Sequence, residues 1–219
     1  MRHPHPPSAP PPRPILRRAL PWLMALALAL AAAGAWPLRP AQAQAAAGQA
    51  IHFTLNGPAG PVTERSHPGK HLLLAIGYTT CPDICPTTLY EWAQTLQTMR
   101  RPEAIAPLFV SIDPGDTPQA LQTYTRFFDE RIVGLTGEPE RIQALARQLG
   151  ATFGYRLNGQ KVEQPQPGSG YGVYHSALIY LIGPDRKLID VFDYQIGAEG
   201  LTAALDKVLG DAPANTSGK

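Results

Sequence analysis

The chain has 219 residues, with 19 basic and 17 acidic side chains, a formal charge of +2, 44% apolar residues and two cysteines. There is no basic stripe and no run of lysine or arginine, which excludes the electrostatic footprint of a nucleic-acid binder. Apolar content and length fit one domain with a proper core.

The first elements belong to export rather than to the fold. Residues 1–18 form a basic tail whose first 14 residues hold seven prolines, and each proline removes a backbone donor and fixes φ. Arg17 and Arg18 are followed by an uncharged run over 19–36, and AQAQAAAG then offers small-x-small sites ending at Ala43 or Ala45. Residues 19–45 are therefore expected to be a cleaved signal peptide or a membrane anchor, with the remainder periplasmic or otherwise extracytoplasmic. Residues 1–45 together carry five arginines and no acid, so the part beyond them has a charge of about −3.

The folded domain is expected over 46–211, with a flexible tail at 212–219. QAIHFTL (49–55) alternates weakly and is expected to start a first strand; NGPAGP (56–61) is turn material. KHLLLAIGY (70–78) is a continuous apolar run, the pattern of a strand buried on both faces. From Pro86, PTTLYEWAQTLQTMR reads as a helix with Leu89, Trp92, Leu96 and Met99 on one face. APLFVSI (106–112) predicts another buried strand, DPGDTP (113–118) a loop, and QALQTYTRFF a helix. IVGLTG (132–137) predicts a short strand, EPERIQALARQLG a helix ended by Gly150, and ATFGYRL a strand or connection. Residues 158–172 read as a flexible loop, and 174–194 as a hairpin about Gly183–Pro184–Asp185. GAEGLTAALDKVLG closes the domain as a helix. This is an α/β order, and it matches a thioredoxin-like fold: a central mixed sheet flanked by helices.

Cys81 and Cys85, in GYTTCPDICPTT, fall where a buried strand meets a helix N-terminus. Unpaired N–H groups there favour thiolate, preparing sulfur for disulfide exchange or for a soft metal. A disulfide between them closes too short a loop to be a useful staple. Three intervening residues set them apart from the two usual in dithiol oxidoreductases. Pro82 and Pro86 are expected to hold both cysteine backbones extended. Two thiolates with an imidazole suit copper, whereas a structural zinc site would ordinarily want a fourth ligand. His3 and His5 lie in the leader; His52, His67 and His71 read as surface or core histidines, and His175 stands just before a strand.

GYTTCPDICPTTL, SIDPGDTPQAL and YHSALIYLIGPD, in that order, resemble the Sco/SenC family, and the likeness runs from about Ile51 to Leu205. The family's members are exported or membrane-associated copper proteins of thioredoxin fold that help assemble cytochrome c oxidase. The resemblance implies Cys81, Cys85 and His175 as copper ligands, carrying Cu(I), Cu(II) or both. It gives Asp83 and Asp113 secondary roles in tuning or partner contact, against the plainer readings of a solvated loop carboxylate or a helix cap. Tyr174 stands where an aspartate often precedes the histidine, and the loop after Asp113 is one residue short and lacks the family's arginine.

The resemblance implies a metallochaperone rather than an enzyme, delivering copper to the dinuclear copper (CuA) site of cytochrome c oxidase subunit II. It implies an upstream copper donor and a thiol reductant as further partners. A thiol–disulfide reductase is the alternative, with Cys81 and Cys85 as the redox-active pair keeping the target's cysteines reduced. A copper or redox sensor is a third reading. A peroxidase of the peroxiredoxin type wants a threonine and a proline upstream of one cysteine, and GYTT has no proline.

Overall fold

The computed structural model describes residues 48–210. The leader over 1–45 and the tail over 212–219 lie outside the described residues. Among the described residues, no helix is long and apolar enough to cross a membrane.

Ten strands and four α-helices are present in that span. A two-stranded hairpin, β1 (Thr54–Gly57) and β2 (Gly60–Thr63), opens the domain. The first strand thus begins later than 49–55 suggests, and residues 50–51 instead reach the far end of the main sheet through an Ala50–Lys187 bridge. The main sheet uses β3 (His71–Gly77), β4 (Ile105–Ser111), β5 (Val133–Leu135), β9 (Leu178–Ile182) and β10 (Leu188–Asp193). Its order is β10-β9-β3-β4-β5. The pairs β3–β4 and β4–β5 are parallel; β3–β9 and β9–β10 are antiparallel. The remaining strands, β6 (Phe153–Leu157), β7 (Gln160–Val162) and β8 (Gly172–His175), form a separate sheet of order β7-β6-β8.

β3 explains the layering. Every one of its residues is buried, and successive side chains leave on opposite faces. Leu72, Leu74 and Ile76 join one core with Ile142, Leu145 and Leu149 of the helix Pro139–Leu149 (α3). Leu73 and Ala75 join the other with Leu89, Trp92 and Leu96 of the helix Ile84–Thr98 (α1) and Leu201, Leu205 and Leu209 of the helix Gly197–Gly210 (α4). Leu121 of the helix Pro118–Phe128 (α2) packs into this second core. Helices therefore cover both faces of a mixed sheet, the thioredoxin-like arrangement.

Three expectations need correction. Cys85 is not in an extended loop, because α1 begins at Ile84 and takes Cys85 into its first turn. Pro86 is tolerated there since first-turn N–H groups have no intrahelical acceptor, and burial of the Cys85 sulfur outweighs the local preference. The segment 158–172 is not all loop: Asn158 and Gly159 both have positive φ, 52° and 79°, and turn β6 into β7 as a tight hairpin. And 174–194 is not one hairpin. Ser176 N–H donates to Thr152 O, so Tyr174 and His175 belong with β6, while β9 and β10 alone make the hairpin of the main sheet.

The left-handed conformation of Asn158 gives a simple test. Asn158→Val is expected to lower stability by about 1–2 kcal/mol in urea unfolding, since a β-branched side chain clashes there, whereas Asn158→Gly should be near neutral.

Candidate metal centre

β3 ends at Gly77, and residues 78–80 lead to Cys81 just before α1. Cys81 and Cys85 are both free thiols, 9% and 3% exposed. A side chain at Gly77 has no room: a Cβ there would come within 2.7 Å of the Cys85 sulfur and 2.6 Å of the Phe109 ring. The sulfur thus occupies space that only glycine leaves open.

His175 arrives from the other sheet, as the last residue of β8. Its Nε2 lies 3.7 Å from Cys85 Sγ, and the donor atoms of Cys81, Cys85 and His175 all lie within 4.8 Å of one another. Nδ1 is 3.0 Å from the carbonyl oxygen of Ser176. When Nε2 binds a metal, the ring proton would sit on Nδ1 and be donated to that carbonyl, which fixes the orientation a ligand needs. The Tyr78 ring meets the imidazole edge-on at 6.0 Å. The small space around Cys85 and His175 has a mostly apolar lining that includes Ile84, Phe109, Leu178 and Ile179, with Thr88 and Tyr194 as its polar members.

The two thiols differ sharply. The Cys85 thiol donates to Cys81, and His175 and the backbone N–H groups of Asp83 and Cys85 add to this against the opposing effect of burial. Together they bring the Cys81 thiol from 9.0 down to about 3. Cys85 moves the other way, because its proton is held by Cys81 and its sulfur is buried. Burial first, and then the nearby thiols, raise the Tyr78 phenol to about 12, so it stays neutral.

The acids expected to tune the site take different places. Asp83 is the exposed N-cap residue of α1; its side chain makes no capping bond, and its carbonyl accepts from Thr87 Oγ1. Asp113 is buried just beyond β4, accepting from Gly115 N–H at 2.8 Å and from the Tyr171 hydroxyl. Sequence reasoning missed Asp116. Its carboxylate accepts from Thr79 N–H at 3.0 Å, from Ser111 Oγ at 2.6 Å and from the Thr79 hydroxyl, pinning the segment that leads to Cys81. A signal for it existed, since two adjacent buried strands ending together bring their following loops into contact.

Tyr174 points away from the donors. Side chains alternate along β8, so Tyr174 and His175 leave on opposite faces. The Tyr174 ring lies over its cross-strand partner Gly154, with the Arg156 guanidinium 5.6 Å above it. An aspartate replaced by tyrosine at 174 therefore changes the back of the strand. His52 pairs with Glu64, and His67 and His71 lie toward Arg186, all away from the cysteines.

A thioredoxin-like sheet with a Cys–Cys–His cluster at the strand–helix junction defines the class of protein: a thioredoxin-fold chain whose dithiol is completed by an imidazole. Comparison with known proteins gives the family. Residues 41–210 match the SCO1/SenC family, and the chain belongs to it. The mitochondrial SCO1 homolog 1 of Arabidopsis thaliana is 34% identical over 149 residues, covering 67% of this chain and 42% of that protein. This chain spans less than half the length of that relative and of the mitochondrial human SCO1 homolog, where the match covers 42%. The structure of Arabidopsis thaliana ScoI with copper bound superposes with a TM-score of 0.64 at 29% identity, over 74% of this chain and 99% of that one. Bradyrhizobium japonicum ScoI with copper bound gives 0.61 at 31% identity, over 72% and 98%.

The inequality of the thiols is measurable. Because Cys81 is already thiolate well below neutrality, its alkylation by iodoacetamide should change little between roughly pH 5 and pH 8. An ordinary thiol loses nearly all its thiolate over that range. Peptide mapping that shows Cys81 slowing about tenfold per pH unit would contradict the arrangement.

Proposed function

We propose that this chain is an exported copper metallochaperone. Cys81, Cys85 and His175 hold the metal and pass it to the CuA site of cytochrome c oxidase subunit II. The observation that carries this reading is the cluster itself: two soft sulfurs and one imidazole nitrogen within 4.8 Å. Thiolates with imidazole are a donor set suited to copper. The copper-bound relatives support the choice of metal, and the family match supports a role in oxidase assembly.

The residues divide the work. Cys81 enters as a thiolate, Cys85 gives up its proton on binding, and His175 supplies Nε2 from a separate sheet. Delivery proceeds by ligand exchange, with the target's cysteines replacing these donors one at a time. An oxidised Cys81–Cys85 pair has no thiolate to offer, so loading needs a thiol reductant, and an upstream donor supplies the copper. The leader over 19–45 places the domain outside the cytoplasm, cleaved or retained as an anchor.

The low position of the Cys81 thiol favours a second activity of the same sulfurs. The Cys81 thiolate attacks a disulfide in the target and releases one target thiolate; Cys85 then displaces the second. The target is reduced by two electrons, the Cys81–Cys85 pair is oxidised, and the external reductant resets it. This reductase needs no imidazole.

His175 separates the two readings. X-ray absorption on the copper-loaded reduced protein should show sulfur and nitrogen donors with about one copper per chain, and His175→Ala should lose the nitrogen contribution and bind more weakly. Failure of both proteins to retain copper, with fast disulfide exchange in each, would move the function to the reductase. The unequal thiols also fix the proton balance. Since of the two thiols only Cys85 still carries a proton, copper binding near neutral pH should release about one thiol proton per metal, read by titration calorimetry in buffers of different ionisation enthalpy. Release of two would mean that Cys81 is not ionised beforehand.

A further inference from the structure

The turn over 113–116 stands between the two sources of donor atoms, and its two carboxylates face different ways. Asp116 binds only the cysteine side and the strand beside it, through Thr79 and Ser111. Asp113 reaches the histidine side, where it takes the Tyr171 hydroxyl. Tyr171 lies immediately before β8, and the preceding residues 163–171 contain no helix or strand. Its hydroxyl is thus the first side-chain tie of this segment to the end of the main sheet. The Tyr171 ring also packs edge-on against Tyr155 at 5.8 Å, and the Tyr155 hydroxyl donates to Ile112 O. Two tyrosine hydroxyls, landing on consecutive residues, join the histidine-bearing sheet to the turn after β4.

We propose that Tyr171 is a positioning residue for His175. Its hydroxyl on Asp113 holds β8 so that Nε2 faces Cys85, while Asp116 holds the cysteine loop by separate bonds. The nitrogen donor can then leave while both sulfurs stay in place, which sets the order in which donors are surrendered. A phenol on a carboxylate is a charge-assisted hydrogen bond, stronger than a neutral pair. β8 is four residues long, pairs with β6 alone at the edge of its sheet, and is tied at its far end by Ser176 to Thr152, so Tyr171 supplies the bond at its near end to the turn that borders the cysteine loop. The ordering of release rests on the copper reading above, whereas the placement of His175 does not need a metal.

The test uses full-length Tyr171→Phe, which removes the hydroxyl and keeps the ring against Tyr155. In the metal-free reduced protein, amide hydrogen exchange over 172–176 should accelerate roughly tenfold, while 78–85 and the core strands exchange as in wild type. In the copper-loaded protein, X-ray absorption should keep two sulfurs and lose part of the nitrogen contribution. Thr79→Val, which removes one bond to Asp116, should show the reverse pattern, with faster exchange over 78–85 and an unchanged 172–176. Wild-type exchange over 172–176 in Tyr171→Phe overturns the proposal, as does acceleration that spreads equally to 78–85. Localised acceleration in a protein that takes up no copper supports the positioning role and rejects the metal reading.

Discussion

The parallel pairing of β3 with β4 is the constraint on which the rest of the structure depends. Seven residues of each run in register, from His71 opposite Ile105 to Gly77 opposite Ser111. Both strands are buried on both faces, so neither can slip by one residue without exchanging its two cores. Parallel strands end at the same edge of a sheet. The cysteine loop after Gly77 and the acidic turn after Ser111 therefore emerge side by side, and Ile112 N–H still donates to Gly77 O across the last step at 2.9 Å. Asp116 can reach Thr79 only because that register brings it there.

Against this fixed edge, the donor set is assembled from parts that are held in different ways. The sulfurs ride on the junction between a strand buried along its whole length and a helix whose inner face includes Leu89, Trp92 and Leu96. The imidazole comes from a small antiparallel sheet that shares no strand with the main one. That division gives the centre two kinds of bond to its scaffold. Packing in the core fixes the thiols, whereas a few polar contacts fix the nitrogen. The same division explains the proton arrangement, since the buried Cys85 keeps its proton and shares it with Cys81 at the helix N-terminus.

Much of this was legible in the sequence, and the boundary has a physical reason. KHLLLAIGY and APLFVSI show buried strands because continuous apolar runs report burial on both faces, and the spacing of Leu89, Trp92 and Leu96 reports a helix. Cys81 and Cys85 stand out by chemistry and spacing, and His175 by resemblance; the structure brings all three together. Sheet membership was not legible. Nothing local separates Tyr174–His175 from Leu178–Ile182, and the break at Ser176 comes from a bond to Thr152, 24 residues away. The Asn158–Gly159 hairpin did have a local signal, an Asn–Gly pair before a short strand, which the polar, glycine-rich sequence around it obscured. Asp116 looked like one more loop acid because its partners, Thr79 and Ser111, are set by strand register rather than by neighbouring sequence.

The path of the chain into the domain also decides how the centre is displayed. Ile51 N–H donates to Arg186 O and Ala50 bridges to Lys187, at the β9–β10 turn. Because β9 runs antiparallel to β3, that turn lies beside Leu72, at the opposite end of β3 from the thiols. A seven-residue strand spans roughly 20 Å, so the point of attachment and the donors occupy opposite poles. The first described residues therefore enter the domain at the pole opposite the sulfurs, and the donors and the chain's entry share no element of the fold.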